Sequence, residues 1–133
     1  MNESTRLRYL RLALRAFGLI FIFGVYPLTV LWPSGWTWNA DQSDYLQMIM
    51  GIYATLGVFL LLAANDPVQH LALISFTIWS SVVHGLIMAI QSVVNPAHMG
   101  HLYGDVLALF LIAGILGCLC PMAARIRLSK AAA

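Results

Sequence analysis

The sequence predicts an all-α transmembrane four-helix bundle, a single integral membrane domain over residues 1–133. Three observations carry that prediction. Of 133 residues, 61% are hydrophobic and 9% charged, whereas a soluble domain carries about 25% charged residues. Charged side chains are absent from four long runs, 16–40, 45–65, 67–104 and 106–124. All seven Lys and Arg residues fall in the two end segments. Seven basic and five acidic side chains are too few to cover the surface of a water-soluble fold of this size. A soluble enzyme, a disordered chain, a nucleic-acid binder and a disulfide-built scaffold are thereby excluded.

A helix needs about 20 apolar residues to cross a bilayer, so three of the runs hold one span each. The run 67–104 exceeds one span and contains Asn95-Pro96. Proline disfavours helix in the preceding residue and suits the first helical position, with Asn as its cap. Helices are therefore expected at about 12–32, 42–64, 67–94 and 97–123. Trp32-Pro33-Ser34-Gly35 stops the first, since Pro and Gly favour turns and Trp suits the interface. Gly18, Gly24 and Pro27 predict a bend within it. Asp41-Gln42-Ser43-Asp44 reads as a cap and acidic first turn for the second, and Asp66-Pro67 repeats the device for the third. The runs are continuous, unlike the alternating strands of a membrane barrel.

Neither loop at 33–41 or 95–101 contains Lys or Arg. The positive-inside rule then puts both termini in the cytoplasm, with a basic interfacial segment at 1–11 and a basic cytoplasmic tail at 124–133. Arg8, Arg11 and Arg15 share one helical face and Leu7, Leu10 and Leu14 another. The arginines are expected to reach toward lipid headgroups. Cys118 and Cys120, two residues apart on a helix, point to different sides and are expected to pack as small apolar groups.

Polar groups inside a bilayer normally face a partner helix or a cavity. In the third helix Thr77, Ser81, His84, Met88 and Gln91 form one stripe. His84 lies roughly 15 Å below the surface at Asn95, at 1.5 Å per residue. Two readings stand side by side: a neutral imidazole bonded to a neighbouring helix, or a group that holds a cofactor such as haem or quinone, with Gln91 beside it. In a fourth helix starting at Pro96, His98, His101 and Asp105 are spaced three and four apart on one face. Two imidazoles and a carboxylate so placed suit a transition-metal ion; the alternative is a polar cap at the interface. Asp105 stands apart as an acid away from a helix cap. Small residues on the second helix (Gly51, Ala54) and the fourth (Gly114, Gly117) suit close packing, within the bundle or against another subunit. No nucleophile elbow, phosphate loop, HExxH or CxxC pattern occurs, so no catalytic residue is expected.

The words Gly24-Val25-Tyr26-Pro27-Leu28-Thr29-Val30-Leu31-Trp32-Pro33, Tyr45-Leu46-Gln47-Met48 with Gly51-Ile52-Tyr53-Ala54, Trp79-Ser80-Ser81-Val82-Val83-His84-Gly85 and Gly100-His101-Leu102-Tyr103-Gly104-Asp105 resemble an uncharacterised family of small bacterial membrane proteins. The likeness covers about 10–122. It implies four spans in a bacterial inner membrane and supplies no activity, ligand or site residue. The expected function is a non-catalytic membrane protein acting by interaction, as a homo-oligomer or as an accessory subunit beside other membrane proteins and lipid. The alternatives are a binder of metal, haem or quinone through His84 or His98, His101 and Asp105, and a small oligomeric carrier or channel.

Overall fold

The computed structural model describes residues 2–38 and 44–120. Their elements are α1 (Glu3–Leu19), a π-helical turn (Ile20–Gly24), α2 (Val25–Leu31), α3 (Pro33–Trp36), α4 (Asp44–Ala63), α5 (Leu71–Val94), a 3-10 segment (Pro96–Leu102) and α6 (Asp105–Leu119). No strand occurs among the described residues. Four stretches are long and apolar enough to cross a membrane: Glu3–Leu31, Asp44–Ala63, Leu71–Val94 and Pro96–Leu119. The chain is a multi-pass, all-α membrane protein.

The first helix starts at Glu3, well before residue 12. Leu10 and Leu14 are fully buried in the core while Arg8, Arg11 and Arg15 are exposed. The leucine stripe therefore extends the bundle contact into the basic segment, and 3–11 is continuous with the first span. At 1.5 Å per residue a stretch from Glu3 to Leu31 is about 43 Å long, more than the roughly 30 Å of hydrocarbon.

Where the bend is expected, the helix winds as a π turn. The Val25 N–H bonds back to the Ile20 carbonyl, five residues earlier. Pro27 follows by two residues, so its missing N–H falls beside a place where the α-helical ladder is already interrupted. Trp32, before Pro33, leaves helical geometry at φ −137°, ψ 68°, and α3 closes with the Thr37 N–H on the Pro33 carbonyl at 2.8 Å.

The third span begins at Leu71 and not at 67. Asp66 Oδ1 instead accepts the Gln69 N–H at 3.4 Å, and the His70 N–H reaches the Pro67 carbonyl at 3.2 Å. These bonds make Asp66-Pro67 a separate turn ahead of the helix. Asn95 does act as a cap, its Oδ1 accepting from Ala97 N–H at 3.1 Å. The segment it caps is a 3-10 helix, so the α-helical part of the fourth span starts only at Asp105. The acidic cap expected at 41–43 and the tail at 124–133, with Arg125, Arg127, Lys130 and Pro121, lie outside the described residues.

α1 packs on α4 and α6, and α5 packs on α6, while α4 and α5 meet only briefly. The α1–α4 crossing is backbone on backbone. A Cβ on Gly18 would stand 2.9 Å from the Gly57 carbonyl oxygen, and one on Gly57 2.7 Å from that of Gly18. A Cβ on Gly51, Gly114 or Gly117 would instead meet open space, so these three glycines make no close helix contact among the described residues.

The two ends of the bundle differ. Toward the termini and the turn at 64–70, Leu10, Leu14, Leu60, Ala63, Ile74 and Leu116 form a fully enclosed core. Lipid is as apolar as these side chains, so close van der Waals fit is what holds such a core. Toward the other end, where α3 meets the 3-10 segment, the bundle is hollow.

Candidate functional site

The hollow end is a cup of about 620 Å³, within the usual range of roughly 300–1,000 Å³ for small-molecule sites. Each span contributes wall from its half nearest the loops: Phe21 and Val25 from the first, Ile49 and Tyr53 from α4, His84 and Met88 from α5, Asp105 and Ile112 from α6. Phe21 and Ile112 also belong to the core cluster and so form its floor. The π turn sets this wall, since it carries Phe21 and precedes Val25. The short meeting of α4 and α5 leaves room between them.

One polar group in the wall is the pair that bridges α4 and α5. The Tyr53 hydroxyl and His84 Nδ1 are 2.8 Å apart. Their rings lie nearly parallel, with centroids 6.0 Å apart, and Phe21 meets Tyr53 edge-on at 5.0 Å. His84 is thus placed by a hydrogen bond and half-buried on the cup wall. Gln91 lines the cup nearer its mouth. Thr77, farther along the polar stripe, is buried and its hydroxyl donates to the Leu73 carbonyl of its own helix at 2.9 Å.

The other polar group is centred on Asp105. Its Oδ2 accepts the Trp38 indole N–H at 3.0 Å and the His101 Nδ1–H at 3.0 Å, and its Oδ1 accepts the Val106 N–H at 2.8 Å. A carboxylate that has left water needs such donors. Trp38, Tyr53, His84 and Asp105 all line the cup, so both polar groups lie at one chamber. Trp38 stacks on His101 at 4.2 Å and on His98 at 4.9 Å between centroids.

The lid that delivers Trp38 is built from glycine contacts. A Cβ on Gly100 would collide with the Ser34 carbonyl oxygen, and one on Gly104 with that of Gly35. α3 and the 3-10 segment therefore press together with no side chain between them. The Thr37 hydroxyl ties the lid back to the Thr29 carbonyl at 3.1 Å.

Sequence spacing put His98, His101 and Asp105 on one helical face as a metal site. The structure joins only His101 and Asp105, an i, i+4 pair. His98 and Asp105 do not share one α-helix, since the 3-10 segment ends at Leu102 and α6 starts at Asp105; the His98 ring centroid lies 5.8 Å from that of His101, and both imidazoles stack on Trp38. Among the described residues no three His, Cys, Asp or Glu groups are placed to hold a metal ion. Trp38 had no distinguishing sequence signal beyond its place in an interfacial loop. Tyr53 could have been found by the depth it shares with His84. Arg8, Arg11 and Arg15 line the outside of α1, apart from the cup.

No curated protein and no solved structure matches the chain. A family model described as a family of unknown function, DUF6632, matches residues 4–132. With nearly the whole length covered, the chain belongs to the family of unknown function DUF6632.

Proposed function

We propose that this protein is a non-catalytic membrane protein whose cup binds a small membrane-soluble molecule. The observation that supports it is the 620 Å³ chamber with mostly apolar walls and two polar groups. Bundles with nothing to hold usually fill such space, because every void forfeits contact energy. The polar groups orient an occupant and the apolar wall supplies contact area. The arginines of α1 support a cytoplasmic N-terminus, and we place the protein in a bacterial inner membrane with the cup opening toward the far side.

Binding of a neutral solvatochromic lipophile to the purified protein tests this reading. One site per chain is expected, and Ala108→Phe, which projects a ring into the cup, abolishes it. Equal probe signal from wild type and Ala108→Phe would refute the cup as the site.

A second reading is interaction with another membrane subunit or a second copy of the chain. It is favoured by a shallow apolar groove on the outer face of α4, lined by Met48, Gly51, Ile52, Thr55, Leu56 and Phe59, in which Gly51 forms an empty notch. Native mass spectrometry after gentle extraction tests it: a mass above one chain that drops to the monomer in Gly51→Phe is expected, and a lone monomer in wild type refutes it.

A further inference from the structure

We infer that the occupant of the cup is a lipophilic organic cation, its positive centre set beside Asp105 and among aromatic rings. This inference rests on the cup being a binding site and adds the chemical class that the site selects.

Among the described residues the wall contains one carboxylate, Asp105, and no Lys or Arg. The arginines of α1 are on the terminal side of the cup, and none lines it. The carboxylate is paired with His101 at 3.0 Å, and no fixed positive charge lies among the described lining residues. A carboxylate inside a membrane protein is costly and normally marks a ligand or ion path. Trp38, His101 and the Val106 N–H donate to Asp105, and Tyr53 and His84 line the same chamber. Their donors hold the anion in place, yet three bonds leave acceptor capacity on a group with about four lone-pair sites.

The rest of the wall fits the same ligand. Phe21, Trp36, Trp38, Tyr45 and Tyr53 all line the chamber. Aromatic faces attract cations through the ring quadrupole, and more strongly away from water. Ala108, Leu109, Ile112 and Met88 offer apolar surface to an organic body. A small inorganic cation does not fit this wall. It would need several oxygen or nitrogen ligands in place of its hydration shell, and no three His, Cys, Asp or Glu groups among the described residues are placed to hold a metal ion. An anion would meet Asp105 with no Lys or Arg among the described lining residues to offset it.

The test uses two probes of nearly the same shape and opposite charge, tetraphenylphosphonium and tetraphenylborate, each competing with the neutral solvatochromic lipophile on the purified full-length chain, with empty micelles as blank. Tetraphenylphosphonium is expected to displace the neutral probe one for one, at least tenfold more tightly than tetraphenylborate does. Asp105→Asn is expected to weaken the phosphonium at least tenfold and to leave the neutral probe bound. Displacement by both ions alike, or phosphonium binding unchanged in Asp105→Asn, would overturn the cation inference while the cup remains a binding site. Should Asp105→Asn not fold, the contrast between the two ions in wild type decides the matter alone. If none of the three probes binds, the binding reading itself falls, and the inference with it.

Discussion

Trp38 and Asp105, 67 positions apart, are joined by an indole N–H to carboxylate bond of 3.0 Å. The bond connects the lid to the first turn of α6, so the lid position and the carboxylate position are one variable. Trp38→Phe keeps a ring to stack on His98 and His101 and removes the donor. Leaving a buried charged acceptor short of one partner costs about 1–3 kcal/mol. Thermal unfolding in detergent should show that loss, and Trp38→Ala, which also removes the stacking, should lose more. Equal melting of Trp38→Phe and wild type would mean the bond carries no stability.

Gly100 and Gly104 admit no side chain, because the Ser34 and Gly35 carbonyls occupy the space. Gly104→Ala should therefore lift α3 and carry Trp38 away from Asp105, at a cost of about 1–3 kcal/mol for overpacking. A red shift in tryptophan emission together with a lowered melting temperature is expected. Gly114→Ala, in open space on α6, should be neutral or stabilising by about 0.5–1 kcal/mol, since alanine restricts the unfolded chain more.

The crossing of α1 and α4 provides a similar contrast on one helix. Gly57→Ala drives a methyl group into the Gly18 carbonyl and should destabilise by about 1–3 kcal/mol. Gly51→Ala, less than two turns away with nothing near it, should leave the isolated chain as stable as before or more so. Melting both variants side by side checks the assignment; the reverse order would place the helix contact elsewhere.

Tyr53→Phe removes the hydroxyl that pairs with His84 Nδ1 at 2.8 Å. Interhelical hydrogen bonds in membranes are worth about 0.6 kcal/mol on average and up to about 1.7, so the melting temperature should fall only slightly. The clearer readout is nitrogen NMR of the histidine ring. The His84 Nδ1 resonance should shift in Tyr53→Phe, while that of His101, bonded to Asp105, stays where it was.

The spans were legible because hydrocarbon length and the absence of charge leave little alternative, and Asn95 caps the next segment as its spacing implies. The polar stripe of α5 was legible too, since His84, Met88 and Gln91 do face one chamber. What misled was continuity. Spacing of three and four supposes one α-helix from Pro96 onward, but the 3-10 segment ends at Leu102 and α6 starts only at Asp105, and Gly100 and Gly104 are there for contact with α3. That contact joins segments distant in sequence, so no local pattern announces it. The same holds for Gly18 and Gly57, one glycine on each of two helices, without the repeated small-residue spacing that drew attention to Gly51 and Gly114.

The π turn at Ile20–Gly24 gives the first span one residue of slack. It accommodates one residue more than an α-helical turn by rotating less per residue, so the faces of α2 are numbered from a different origin than those of α1 while both still meet the bundle. Deleting a single residue inside the turn would let the helix close as regular α and leave Thr29 buried. The same deletion in the regular helix just before Thr29 has no slack to draw on. It would turn Thr29 by about 100° toward lipid, and the lid anchored on its carbonyl would lose its tether.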